Sequence, residues 1–288
     1  MGLPLDFAFE GFRLIRARPR LIALWGIITL FGYGIAFLMY VATTGPILPT
    51  ITAAGLHPSD TISETLAPRL MMMMLSVTPL CWLTQAVLAC AVCRAGLEGG
   101  QDPFGFVRFG VREMQVLAVM AVTSLLTFAV LLSVLSVCQS LSPSPAFAAI
   151  GLVLGLLAAF SVGIRLSLNV PQTFVQRRID LFGSVSLTRG RFWPLAGGYV
   201  MAFALSAIVQ YLGQQVVRAI VGVCFGDSVA KAAYDLSSLS AFLTPANTID
   251  VAISFGLIMP QVAAILLAAP LGAWKALKPS PAEITVVL

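Results

Sequence analysis

Arginine is the residue type in this chain whose placement points most directly to chemistry. Arg165 and Asn169 stand one helical turn apart at the end of a long apolar run, and Arg189 and Arg191 lie just before the next one. A guanidinium keeps its charge and offers a planar fork of donors that matches phosphate oxygens. These four residues are the candidate site for a phosphate-bearing headgroup or a partner. The plainer use of Arg165 is to lay its stem along lipid and hold its charge in water. Pro260 and Gln261 make a second candidate, because a proline removes a backbone hydrogen bond and discontinuous membrane helices build transport sites.

Other residue types offer less. The single histidine, His57, cannot supply a His-based zinc site or a catalytic triad. Cys90 and Cys93 lie inside an apolar run, whereas redox chemistry needs an exposed thiolate, so they read as small buried side chains. Cys138 and Cys224 both fall near the outer ends of runs, and sequence leaves their pairing open. Met71 to Met74 point all round a helix, which suits lipid contact or packing better than a soft-metal site. No cofactor and no metal centre is expected.

The positioning elements follow from composition. The chain has 288 residues, 59% hydrophobic and 10% charged, with a mean hydropathy of +0.96. A soluble domain carries about 25% charged residues, so these charges are too few for a water-facing surface. The apolar residues form runs near 21–41, 70–93, 116–138, 146–168, 194–215 and 251–274. A bilayer core takes about 20 apolar residues as a helix. A membrane barrel would show short alternating strands instead. The expected fold class is all-α: one polytopic domain over 1–288, an integral membrane bundle of six transmembrane helices with interfacial amphipathic helices. The first run exceeds a signal-peptide core, and Tyr40-Val41-Ala42 is a poor cleavage site. The fifth continues apolar to Val223, so it tilts steeply or breaks near Gly213. Pro260 and Pro270 interrupt the sixth.

Charge orients the bundle. With the N-terminus inside, all of the 17 Lys and Arg except Arg69, Arg218 and Lys231 fall on inner segments. That bias predicts both termini cytoplasmic in a multi-pass protein of a bacterial inner membrane. A net charge of +5 then points to membrane lipids, through anionic headgroups on the cytoplasmic side, rather than to nucleic acid. Residues 5–17, and a segment in which Phe104, Val107 and Val111 oppose Arg108 and Arg112, read as amphipathic. So do a helix capped by Asp180 with Phe182 and Val185 on its apolar side, and an outer helix over 227–243. Trp193 suits an interfacial anchor. Asp6, Asp102 and Asp180 each open such a segment before a span, which suggests a three-unit repeat. Gly151, Gly155, Ala159 and Gly163 recur every four residues and predict a close-packing face, within the bundle or between copies in a homo-oligomer.

Arg165-Leu-Ser-Leu-Asn-Val-Pro171, followed by Ser186-Leu-Thr-Arg-Gly-Arg-Phe-Trp193, resembles the signature of bacterial polytopic proteins similar to the membrane domain of glycerophosphodiester phosphodiesterases. The match covers about thirty residues; elsewhere only topology agrees. Members carry an acidic residue shortly after the proline, where this chain has Gln176 or Arg177. The resemblance implies a helical membrane domain and little chemistry, since the phosphodiesterase activity belongs to a separate soluble barrel. Three functions are compatible with the residues. The first is a non-enzymatic scaffold, accessory subunit or lipid-associated protein, with or without a membrane-protein partner. The second is a transporter or channel subunit using Pro260 and Gln261, although no ionisable residue is expected at mid-membrane depth. The third, a membrane-embedded lipid-acting enzyme, lacks a clustered acid, base or nucleophile.

Overall fold

The computed structural model describes residues 5–47, 60–98, 102–142, 144–181, 183–231 and 234–277. His57, Phe182 and Lys278, used above, lie outside them. Among the described residues the chain is helical and has no strand, and six helices are long and apolar enough to cross a bilayer. The chain is an all-α multi-pass membrane protein.

A 3-10 turn over Leu5–Phe9 leads into α1 (Glu10–Ala17) and then α2 (Arg20–Thr44). α3 (Asp60–Leu97) and α4 (Val111–Leu141) follow. α5 (Pro145–Leu166) gives way to α6 (Asn169–Gln176) after a two-residue break at Ser167 and Leu168. Next come α7 (Gly183–Thr188), α8 (Phe192–Phe225), α9 (Asp227–Lys231) and α10 (Leu239–Phe242). α11 (Pro245–Ile253) joins α12 (Met259–Leu277) through one π turn, Ser254–Ile258. The starts of α5 and α11 are set locally. Ser144 Oγ accepts from Phe147 N–H at 3.4 Å and Thr244 Oγ1 from Asn247 N–H at 3.3 Å, each ahead of a proline at the first helical position.

Consecutive spans pair as hairpins: α2 on α3, α4 on α5, and α8 on α11–α12. The interior of α3 is built from small residues. Ala86, Ala89, Cys90, Ala91 and Cys93 share one core cluster with Trp25 of α2, Val116 of α4 and Ala268 of α12. A second cluster joins Phe7, Ile164, Leu168, Leu195 and Trp274 at the end where α1 meets α12. There Lys275 Nζ lies 2.7 Å from Glu10 Oε1, so the two ends of the described chain sit together. The α4–α5 hairpin is peripheral. Only 11% and 17% of its span windows are buried inside the protein, against 39% for α2 and α3.

Several sequence expectations are corrected. Residues 5–17 are a 3-10 turn plus a short helix rather than one helix, and Phe7, Ala8 and Gly11 are buried against the bundle. Residues 60–69 belong to α3 and not to a loop, and the spans overrun their expected ends. The segment from Asp102 to Phe106 is a set of turns pinned to the bundle, not an interfacial helix. α8 runs unbroken for 34 residues, about 50 Å at 1.5 Å per residue. Gly213 is where it meets Ile258, whose side chain would lie 2.8 Å from an added Cβ. The expected outer helix over 227–243 is instead two short helices, α9 and α10, with Tyr234 to Ser237 ahead of α10 not helical.

In the last span Pro270 stays inside a continuous α12, and the irregularity is the π turn just before Pro260. Pro260 has no N–H for the Gly256 carbonyl. α2 crosses there, with Gly26 so close that a Cβ would collide with the Gly256 oxygen. Thr29 Oγ1 donates to the neighbouring Phe255 carbonyl at 2.5 Å. The widened turn thus opens backbone to α2.

Candidate functional site

The charged residues concentrate at the end of the bundle where α1 and α12 meet. Two of them are buried. Arg94, in the last turn of α3, is 4% exposed and Glu113, in the first turn of α4, is 1% exposed, and they form an ion pair. Arg94 Nη1 also donates to the Phe106 carbonyl at 3.0 Å. The guanidinium carbons of Arg94 and Arg112 each lie 5.5 Å from the centroid of the Phe174 ring. The apolar runs 70–93 and 116–138 stop short of both residues, so sequence places them in the charged loop between two spans. The signal that was available is the hydrophobic pattern of α4, which extends back to Val111 and carries Glu113 with it.

The ion pair braces an unusual turn. Gly105 and Phe106 have φ of +64° and +63°, a conformation costly for phenylalanine and kept only where surroundings enforce it. Trp25 Nε1 donates to the Gly105 carbonyl at 2.9 Å. Asp102 Oδ1 accepts from Phe104 N–H at 2.9 Å, and Asp102 Oδ2 from Arg108 at 3.1 Å. The Phe104 N–H, with Arg108 beside it, holds the Asp102 carboxyl below its ordinary range, against a smaller opposing push from desolvation.

Arg165 and Arg189 come together. They line one cleft of about 350 Å³ with Val185, Thr188, Gly190 and Phe192. α7 is held under the end of α5 because Ser184 Oγ donates to the Arg165 carbonyl at 2.7 Å and Thr188 Oγ1 donates to it at 3.5 Å. Asp180 caps α7 through Gly183 N–H at 2.8 Å, as its position suggested. Arg165, Arg189 and Arg191 are exposed, and none pairs with a carboxylate among the described residues. Arg191 stands at the start of α8 outside the cleft lining, and Trp193 is 81% exposed beside it.

Asn169 is not part of that cleft. The break at Ser167 and Leu168 turns it inward, where it is 1% exposed. Its Oδ1 and Nδ2 have no hydrogen-bond partner, and neither do Gln172 Oε1 and Thr173 Oγ1 on the same face of α6. The expectation that Arg165 and Asn169 act as a pair is therefore corrected: one faces out from α5 and the other is enclosed.

The small-residue face of α5 lies partly against α4. A Cβ on Gly151 would come 2.8 Å from Cys138 Cβ, and one on Gly155 2.8 Å from Leu131 Cδ1. Gly163 is looser, with Thr127 Cγ2 at 3.9 Å, and Ala159 lines an apolar groove between α3 and α4. Pro260 is buried and Gln261 Nε2 donates to its own helix, to Leu257 O at 3.0 Å. Asp250 is the ionisable residue that sequence placed at a span boundary and structure places inside α11. It accepts from Ser254 Oγ at 2.9 Å and from the Tyr234 hydroxyl, and Gln214 Nε2 donates to Ser254 Oγ at 3.0 Å. All five cysteines are free, including Cys138, which is buried, and Cys224, which is exposed. Comparison with family models, curated proteins and solved structures yields no match.

Proposed function

We propose that this chain is a non-enzymatic, lipid-associated protein of a bacterial inner membrane. In this reading it serves as a scaffold or accessory subunit, with the α1–α12 end facing the cytoplasm. The observation that carries the reading is the cleft shared by Arg165 and Arg189. Two permanently charged guanidiniums, with no carboxylate partner among the described residues, line one cleft with the apolar Val185 and Phe192. That arrangement suits an anionic phospholipid headgroup, with phosphate on the arginine forks and the glycerol end against the apolar wall. Its hydroxyl, Thr188, is turned onto backbone carbonyls, so the cleft groups bind and do not transfer protons. The placement of basic residues at this end supports the cytoplasmic orientation. The thirty-residue resemblance fits a membrane domain without its own hydrolase.

The test is native mass spectrometry of the full chain from mild detergent with phosphatidylglycerol added. Arg165→Ala and Arg189→Ala are expected to fold and to retain about tenfold less of that lipid, the worth of one charge-assisted contact. Normal abundance with unchanged lipid would sink the reading. A transporter reading finds its foothold at Asp250 rather than at Gln261, whose amide is spent on its own helix. Flux of candidate ions into liposomes, abolished by Asp250→Asn, would favour it.

A further inference from the structure

A second cleft at the same end has a different charge pattern. It lies between the α1–α2 elbow and the turns at Asp102 to Phe106, has a volume of about 640 Å³, and is lined by Arg18, Arg20, Leu21, Leu24, Asp102 and Phe106 among others. A smaller cleft of about 380 Å³ shares Asp102, Pro103 and Phe106 with it and continues to Glu98. Along this surface Arg18 and Arg20 give way to Asp102 and Glu98, with Arg108 beside Asp102 and apolar side chains between.

The walls are built rather than incidental. Arg18 Nη1 is fixed to the Ala95 carbonyl at 3.0 Å, and its guanidinium lies 5.2 Å from the Phe106 ring centroid. Phe106 is held by the buried Arg94, and Gly105 by Trp25. Leu24 packs so closely on Gly105 that a Cβ there would come 2.9 Å from its Cδ1. Arg20 is exposed, opens α2, and has no carboxylate partner among the described residues. A cleft that begins at the first residue of a span sits at headgroup level. Phe104, 74% exposed, lines the smaller cleft as an apolar contact.

We propose that this cleft binds a zwitterionic phospholipid, with a phosphoethanolamine headgroup. Arg20 and the free N–H groups of Arg18 take the phosphate, Asp102 takes the ammonium, and the half-buried Leu24 receives the start of an acyl chain. Charge complementarity selects this occupant. A purely anionic headgroup would meet Asp102 as a like charge, and choline would cover Asp102 without donating a hydrogen bond; Glu98 is already paired with Arg112 at 3.8 Å. Arg108 already sits 3.1 Å from Asp102, so it competes with the ammonium. The proposal is independent of the Arg165–Arg189 cleft, which lacks a carboxylate.

The full chain with Arg165→Ala and Arg189→Ala, which disable the other cleft, is placed in nanodiscs of equimolar phosphatidylethanolamine and phosphatidylglycerol. Lipids retained on release are counted by native mass spectrometry. Phosphatidylethanolamine is expected to be enriched, and Arg20→Gln to reduce it about tenfold, one charge-assisted contact. Asp102→Asn is expected to erase the preference, and Arg108→Gln to raise it by freeing the carboxylate. Arg20→Gln and Arg108→Gln alter exposed side chains and keep the test valid if Asp102→Asn misfolds. Equal retention of the two lipids in the parent protein, or a preference indifferent to Arg20 and Arg108, would overturn the proposal.

Discussion

Arg94 and Glu113 are the residues whose removal most clearly separates structure from binding. Both are buried and paired, and cutting one partner of such a pair costs about 3–5 kcal/mol because the other charge is left unpaired in low dielectric. Arg94→Met should therefore lower the thermal midpoint in detergent sharply. The double variant Arg94→Met with Glu113→Leu should recover most of the loss, whereas a double variant as damaged as the single would show that the pair's worth lies elsewhere. Asp102 gives a pH test. Its folded pKa is depressed, chiefly by the Phe104 N–H. The stability it contributes is therefore fully present above the ordinary carboxylate value of about 4 and is lost as pH falls through the lowered one. The melting advantage of the wild type over Asp102→Asn is expected to hold at pH 7 and to shrink as pH falls below about 4; an advantage that stays flat on acidification would refute the assignment.

At the scale of elements, glycines decide where helices approach. Gly26 faces the Gly256 carbonyl at the π turn, so Gly26→Ala should pry α2 from the last span and cost at least about 2 kcal/mol, the usual penalty of overpacking. On α5 the four small residues are not equivalent. Gly155→Leu should destabilise by about 1–3 kcal/mol through Leu131, while Gly163→Ala should stay within about 0.5 kcal/mol, since its nearest neighbour is at van der Waals range. Equal losses at both sites, read by thermal unfolding, would mean that the face packs on something other than α4. The same scale explains why a period of four identified the face while leaving its partner open. Spacing marks which residues share a stripe; Leu131, Leu135 and Cys138 of α4 supply what the stripe meets.

For the whole molecule, six spans place the described ends on one side and α9 on the other. In a Cys224→Ser background, which removes the exposed native thiol, maleimide should label Ser186→Cys and Lys275→Cys from one face of sealed vesicles and Ser228→Cys from the opposite face. Labelling of all three from one side would remove a span from the count. The same picture accounts for the uneven burial of the bundle. The α4–α5 hairpin packs on the rest of the bundle mainly through α6 and α3, and many of its apolar side chains face outward, as lipid permits and water would not.

Sequence alone determined the class of this protein, its six apolar spans and the crowding of arginines near one end. Hydrophobic run length and charge bias are local quantities set by the bilayer, so they survive any arrangement of the helices. Tertiary structure decided the rest. It parted Asn169 from Arg165 by a two-residue break, brought Arg189 in from the next segment, and buried Arg94 against Glu113. It also raised the walls of the cleft at Asp102. Each of these depends on contacts between residues distant in the chain, whose geometry no periodicity encodes.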